Sequence, residues 1–489
     1  MIYQSSLLDE IAIQLEKSDP FIIRSNGVSI SRNQYKRELD FFTYQISSFL
    51  SCGDVFSVWI DNEILFSQII LAGLRSGSVA CLIDPEGGNA IVKNQILEAK
   101  VQYIFIEGKI FDIFFLTRNP LLQLPVQYVI VGFSVFGFRR KKILCGISEV
   151  HLPETKKLNE NEPSIIVFTG GTTDVPKGVV HTHKSLVATA QNLLPLFSLV
   201  KRMYVDMPHF LLFGLLLGIP MVTGKNRFSS RKVFSIIKKY NVDGYFSPPY
   251  RYNFLIKKGY VPASLKHIYI GSAPVYYGFL TRLISILKGD QNIHCIYGMT
   301  EILPIAMIDG REKLDFGNVA GDILGRVYGN IEVKCRNQEF LVKGPHVSAG
   351  YLGDTKKEYI STGDCGYISD GLLVLTGRKK DMIIRKDFNI YPALYESIIS
   401  KIPGVIEVAL VGVYESKNAD EKIFLFLEVS GIVYKKETIL SLLKKGKYSI
   451  DEFALPDEIL FMNLPRKGRQ KKIDKETLRQ FAKKNYLGG

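Results

Sequence analysis

At 489 residues, 46% of them hydrophobic and 22% charged, the chain is long enough for two or more domains and has the composition of an ordinary folded protein. A formal net charge of +14 favours anionic partners such as nucleotides, acidic proteins or anionic lipid. No nucleic-acid motif accompanies the local basic clusters Arg139–Lys142 and Arg466–Lys472, so nucleic acid is not expected as a partner.

Six cysteines stand far apart, at 52, 81, 145, 295, 335 and 365, with no metal-ligand spacing. His181 and His183 are one residue apart, the wrong spacing for a zinc pair on one helix face. Reduced thiols and a start without a basic patch and apolar run lead us to expect a cytoplasmic protein. The longest apolar stretch, Phe210 to Val222, has thirteen residues and contains Pro220. That is too short to span a bilayer and reads as buried core. A mean hydropathy of +0.09 leaves loose membrane contact open.

In chain order, Val55–Ile60 reads as a strand, Glu63–Ser76 as a helix and Ser78–Ile83 as a second strand. Tyr103–Ile106, Val126–Val131, Ser164–Phe168, Tyr245–Ser247 and His267–Ile270 continue the strand pattern. Repeated strand–helix units predict an α/β fold of layered, mostly parallel sheets. After about residue 317 the pattern changes. Asn330–Lys343 and Gly366–Thr376 read as short strands with tight turns, a small antiparallel, barrel-like subdomain. From Lys379 a compact α+β segment follows, with strands near Val408–Val413 and Ile423–Val429. We divide the chain into residues 1–378 and a small mobile domain, 379–489.

The strand Ser164–Phe168 runs into Thr169-Gly170-Gly171-Thr172-Thr173-Asp174-Val175-Pro176-Lys177-Gly178. Glycines let main-chain N–H groups approach phosphate oxygens, three hydroxyls add donors and a lysine adds charge. No Gly-Lys-Ser/Thr follows a four-residue spacer, so this is not a Walker A loop.

FTGGTTDVPKG resembles the phosphate-binding signature of the adenylate-forming superfamily of acyl-CoA synthetases, luciferases and peptide-synthetase adenylation domains. Thr169, Gly171, Thr172, Thr173, Pro176, Lys177 and Gly178 match, and Asp174 replaces the usual glycine. Five more signatures follow in the family's order. Gly271-Ser272-Ala273-Pro274 resembles the GGAP turn, whose backbone lines the adenine and acyl pockets. Tyr297-Gly298-Met299-Thr300-Glu301 resembles YGxTE: an aromatic face for adenine, a hydroxyl for phosphate and a carboxylate for Mg²⁺. Ser361-Thr362-Gly363-Asp364 resembles the TGD motif, whose aspartate accepts the ribose hydroxyls. Gly377-Arg378-Lys379-Lys380-Asp381 opens a segment in which, by resemblance, Arg378 contacts the ribose and Lys380 is the hinge before the small domain. Asn389-Ile390-Tyr391-Pro392 with Glu396 continues it, and Asp387 replaces a family glycine.

The last signature is a carboxy-terminal catalytic lysine, usually in P-x-x-x-x-G-K-I-x-R. Counting back from Ile473 and Lys475 selects Lys472, and counting forward from Pro465 selects Lys471. Side-chain phasing of the following segment favours Lys472. The resemblance implies an ATP- and Mg²⁺-dependent enzyme that converts a small carboxylic acid to an acyl-adenylate, with Thr169, Glu301 and Lys472 at the chemistry. CoA is the expected thiol acceptor, with a carrier phosphopantetheine as the alternative. Amino-acid activators carry an Asp where this chain has Leu211, so an apolar acid is expected. A β-lactone synthetase, or a degenerate nucleotide- or acyl-binding protein without catalysis, are the other readings.

Overall fold

The computed structural model describes residues 2–17, 20–85, 87–137, 140–143, 150–152, 155–169, 176–225, 227–316, 321–354, 357–386, 388–415, 420–467 and 471–486. Two compact units emerge. The first comprises Met1–Tyr245, Thr300–Leu303 and Pro345–Lys357, and the second Phe246–Met299, Pro304–Gly344 and Glu358–Gly489.

In the first unit the expected strand–helix alternation is present. Strands Val55–Trp59, Val79–Leu82, Tyr103–Glu107 and Gln127–Val131 are separated by helices Glu63–Arg75, Asn89–Glu98 and Gly108–Leu116. With Pro163–Phe168 and Lys141–Ile143 they form a run of six parallel strands. Strand residues Trp59, Cys81, Ile104, Ile130 and Ile166 share one core with Val92, Ile96 and Phe111 from the helices. Each such large apolar side chain contributes roughly 1.5–3 kcal/mol on burial. The helix Glu63–Arg75 starts where Asn62 accepts the N–H groups of Ile64 and Leu65, satisfying two donors that the first turn leaves open.

A second sheet in this unit sets Pro20–Arg24 parallel to Met221–Thr223, and that strand parallel to Met203–Val205. The thirteen-residue apolar stretch resolves into the end of the helix Pro208–Leu217 and this strand. Gly218 stops the helix in the left-handed region, φ +67°, where a Cβ would be strained. Leu211, Leu215 and Val222 are fully buried, as a core reading requires. Among the described residues no helix is long and apolar enough to cross a membrane.

The second unit holds the parallel pair His267–Ile270 and Asn292–Met299. It also holds the expected antiparallel run, ordered Asp322–Val327, Leu372–Arg378, Ile360–Ser369, Glu339–Lys343 and Glu332–Arg336. Toward the carboxy terminus, Val405–Glu415 pairs antiparallel with Asp420–Val429, which pairs parallel with Glu458–Phe461. Strand side chains alternate between faces. Val408, Leu410, Ile423, Leu425 and Leu427 join one core with Ile399, Ile439 and Leu443. Ala409, Val411, Val413, Phe424 and Phe426 join another with Leu478 and Ala482 of the helix Lys475–Tyr486. This small sheet is therefore covered by helices on both faces.

Candidate active site

In the first unit the strand Pro163–Phe168 turns back on Gly178–Thr182 as an antiparallel hairpin, with Phe168 opposite Gly178. The glycine–threonine loop is the hairpin's connection. Its base is closed by Thr169 N–H donating to the Lys177 carbonyl at 3.0 Å, and by Lys177 N–H donating to Thr169 Oγ1 at 3.3 Å. Gly171, Thr172, Thr173 and Asp174 lie outside the described residues. Lys177 is exposed, and its ammonium sits 5.4 Å from the centre of the Tyr351 ring.

That ring belongs to a two-residue strand, Gly350–Tyr351, paired antiparallel with the hairpin so that Val179 faces Tyr351. The Tyr351 hydroxyl donates to Glu301 Oε1 at 2.7 Å. Burial and the neighbouring carboxylate raise the phenol's pKa, which keeps this hydroxyl a donor. The Glu301 segment is fixed at two more points. Ser348 N–H donates to the Glu301 carbonyl at 2.8 Å, and His181 Nε2 lies 2.9 Å from the Thr300 carbonyl. A carbonyl only accepts, so His181 carries its proton on Nε2. Burial lowers the His181 pKa and keeps the ring neutral in that role. His183 is pushed down to about 4 by burial and bonds Ser5 Oγ at 2.9 Å. Glu301 is 4% exposed. Among the described residues its Oε2 accepts no hydrogen bond, and no three His, Cys, Asp or Glu side chains cluster as a metal cage. One buried carboxylate with an open oxygen fits a small hard cation that completes its shell with phosphate and water oxygens.

In the second unit Asn292–Met299 carries Tyr297, whose hydroxyl donates to Asp364 Oδ2 at 2.7 Å. Burial and the adjacent Asp364 carboxylate raise the Tyr297 pKa, so the phenol stays protonated. Arg378, on the strand paired with that of Asp364, brings Nε within 2.8 Å of Oδ1. The buried Oδ1 nevertheless has no properly aligned hydrogen bond among the described residues. A carboxylate oxygen that lacks an aligned donor is a ready acceptor for hydroxyl donors. Gly298 and Met299 end the same strand. Ser272, where the GGAP turn has glycine, takes φ +65°, and Ala273 and Pro274 continue that turn past the strand His267–Ile270. Such backbone strain at a non-glycine residue collects at functional turns.

Lys380 is exposed in the short 3₁₀ turn Lys379–Asp381, directly after Arg378. At the carboxy-terminal motif, Arg466–Lys467 pairs antiparallel with Lys472–Ile473, Lys467 opposite Lys472. Ile473 packs on the core that Ala409, Val411 and Leu478 share, so strand alternation turns Lys472 to the other face. Lys471 lies outside the ladder with φ +49°. Lys475 is engaged elsewhere: its ammonium is 2.7 Å from Glu396 Oε1. The buried Glu396 also accepts Tyr276 Oη at 2.8 Å and Leu410 N–H at 2.7 Å.

Sequence reasoning passed over Tyr351 and His181. Neither belongs to a recognised motif, and each meets the Thr300–Glu301 segment across 50 or more residues of chain. Placing them required the strand pairing of Gly178–Thr182 with Gly350–Tyr351.

The chain matches the AMP-binding enzyme family over residues 19–352. It is 26% identical to the 4-coumarate–CoA ligase-like protein 6 of Arabidopsis thaliana, across 80% of this chain and 74% of that one. It is 28% identical to the indoleacetate–CoA ligase of Aromatoleum aromaticum, across 69% of this chain and 71% of the relative. Among solved structures, the amide bond synthetase McbA from Marinactinospora thermotolerans superposes with a TM-score of 0.83 at 18% identity, covering 97% of this chain and 99% of that one. The O-succinylbenzoate CoA synthetase of Bacillus subtilis, in complex with ATP and magnesium, gives 0.78 at 19% identity, with 97% and 99% covered. A parallel sheet edged by this hairpin loop, together with these likenesses, defines an adenylate-forming, AMP-forming ligase. The chain belongs to the AMP-binding enzyme family.

Proposed function

We propose that this enzyme joins the carboxylate of a small apolar acid to the α-phosphate of ATP, releases pyrophosphate, and passes the acyl group to a thiol, CoA foremost. The observation that carries the reading is the buried Glu301 carboxylate, anchored through Oε1 by Tyr351 and open at Oε2. Mg²⁺ held there would offset charge on the departing pyrophosphate. Thr169, the donors of Gly171, Thr172 and Thr173, and Lys177 hold phosphate oxygens, and the Thr300 hydroxyl adds a donor. Tyr297 offers its ring to adenine, alongside the turn of Ser272, Ala273 and Pro274. Asp364, fixed by Tyr297 and Arg378, accepts the ribose hydroxyls.

Lys472 draws negative charge from the approaching carboxylate and the α-phosphate, two anions that otherwise repel. Residues 379–489 then turn about Lys380 and make way for the thiol, which attacks the acyl carbon and displaces AMP. The fully buried Leu211 supplies no carboxylate for a substrate ammonium. Two of the relatives are named for aromatic acids, coumarate and indoleacetate, which supports the same preference. The name of McbA, an amide bond synthetase, makes an amine the second acceptor class to try.

Pyrophosphate–ATP exchange over a panel of aryl, fatty and amino acids tests the reading, with CoA or an amine added in parallel. Apolar acids should support exchange, free amino acids should not, and CoA should yield a thioester with AMP. Nucleotide binding without exchange for any acid would show a protein that binds without activating. An amino acid as best substrate would remove Leu211 from the reasoning.

Tyr351 has its own expected effect. A hydrogen bond to a charged group is worth about 1.5–3 kcal/mol, so Tyr351→Phe should slow adenylate formation by about tenfold or more. It should also raise the Mg²⁺ concentration needed for half the maximal rate, and weaken Mg²⁺-dependent nucleotide binding measured by calorimetry. An unchanged Mg²⁺ requirement would reduce Tyr351 to a packing residue.

A further inference from the structure

We propose that this enzyme docks on anionic membrane surfaces through the tip of its first unit formed by residues 113–116 and 133–136. Six large apolar side chains are exposed there: Ile113, Phe115, Leu116, Phe133, Val135 and Phe136, with Phe133 at 85% and Leu116 at 66%. The two segments meet where Phe115 stacks on Phe136 with ring centroids 4.9 Å apart. Such a patch is unusual on a soluble surface and marks an interaction site.

The patch is built, not frayed. Asp112 accepts Ser134 Oγ at 2.5 Å, Val135 N–H at 3.0 Å and Phe136 N–H at 3.1 Å, tying the aromatic loop to the helix Gly108–Leu116. Gly137 N–H donates back to Ser134 Oγ at 2.9 Å. Gly108 admits the loop: a Cβ there would stand 1.8 Å from the Phe133 carbonyl oxygen. The polar groups of the loop are thus satisfied internally while its apolar side chains project outward.

Charge decides the occupant. Lys109, Arg118, Arg140 and Lys142 are exposed in the chain flanking those two segments, and Asp112, the one carboxylate in 109–118 and 133–142, is engaged in the loop's own bonds. A second copy of the chain would set this basic surface against itself, since a twofold interface repeats one patch on both sides. An anionic bilayer instead takes aromatic and aliphatic tips into its interface while its headgroups meet the lysines and arginines. Because no described helix can span, the contact is a surface one.

Sedimentation of the full-length protein with phosphatidylcholine vesicles, with and without phosphatidylglycerol, tests this. The protein should pellet with the phosphatidylglycerol vesicles and be released by raised salt. The double variant Leu116→Ser, Phe133→Ser should lower the partition by about tenfold or more. Arg140→Glu with Lys142→Glu should remove the preference for phosphatidylglycerol. Unchanged thermal midpoints in both variants confirm that the fold is kept. The proposal fails if the wild type stays in the supernatant, or if the serine variant pellets as well as wild type. It also fails if, without vesicle binding, light scattering shows a dimer that the serine variant abolishes, which would assign the patch to self-association. None of these outcomes depends on the acid activated.

Discussion

Lys472→Ala should lower the rate of adenylate formation by about 10²–10⁴-fold, the scale for removing one electrostatic stabiliser from a closed site. Thioester formation from supplied acyl-adenylate should change by less than about tenfold, a barrier difference under roughly 1.4 kcal/mol. The asymmetry follows from what the charge is for. Lys472 is needed while two anions approach, and the thiol step begins after the anhydride exists. Lys472 stands in a two-strand ladder with its neighbour Ile473 on the core. Lys471→Ala is the matched control and should leave both half-reactions near wild type. Lys475→Ala should behave differently again. It leaves the buried Glu396 carboxylate without its cation, and the loss should appear as a lowered thermal midpoint before any specific catalytic defect. If Lys471→Ala abolishes adenylation and Lys472→Ala does not, the assignment of the two lysines is reversed.

Glu301→Gln should cost about 10²–10³-fold in adenylate formation and remove most of the response to Mg²⁺, while substrate-free stability stays close to wild type. The substitution is nearly isosteric, and a glutamine carbonyl can still accept the Tyr351 hydroxyl. The main-chain bonds from Ser348 and His181 do not involve the side chain at all. What is lost is the negative charge at the open oxygen. Rate against Mg²⁺ concentration, read beside calorimetric binding of nucleotide with and without Mg²⁺, separates a metal defect from a nucleotide defect. Full activity with the wild-type Mg²⁺ requirement would sink the metal role of Glu301.

Much of this architecture was legible because burial writes a pattern into the sequence. The unbroken apolar run from Val408 to Val413 follows from helices on both sides of one sheet, and the apolar stretch ending at Val222 is as apolar as its two buried elements require. The glycine–threonine loop was legible as a family signature because its residues are consecutive in the chain. Tyr351 was not, since a tyrosine in Gly-Tyr-Leu carries no signal until two short strands pair. Ser272 gave no sign of its left-handed backbone, because serine is common in ordinary turns. For Lys471 and Lys472 the sequence offered two counts, and the hairpin register supplies a reason to prefer the second.

The division into units has a genetic corollary. The chain passes from one unit to the other at 245/246, 299/300, 303/304, 344/345 and 357/358. Glu301 and Tyr351 are late returns to a unit otherwise complete by residue 245. A fragment ending between residues 245 and 300 would lack both Glu301 and Tyr351, and one ending between 301 and 350 would hold the carboxylate without the phenol that anchors it. The stretch that matches the family closes at residue 352, one position after Tyr351, and so takes in both late returns to the first unit.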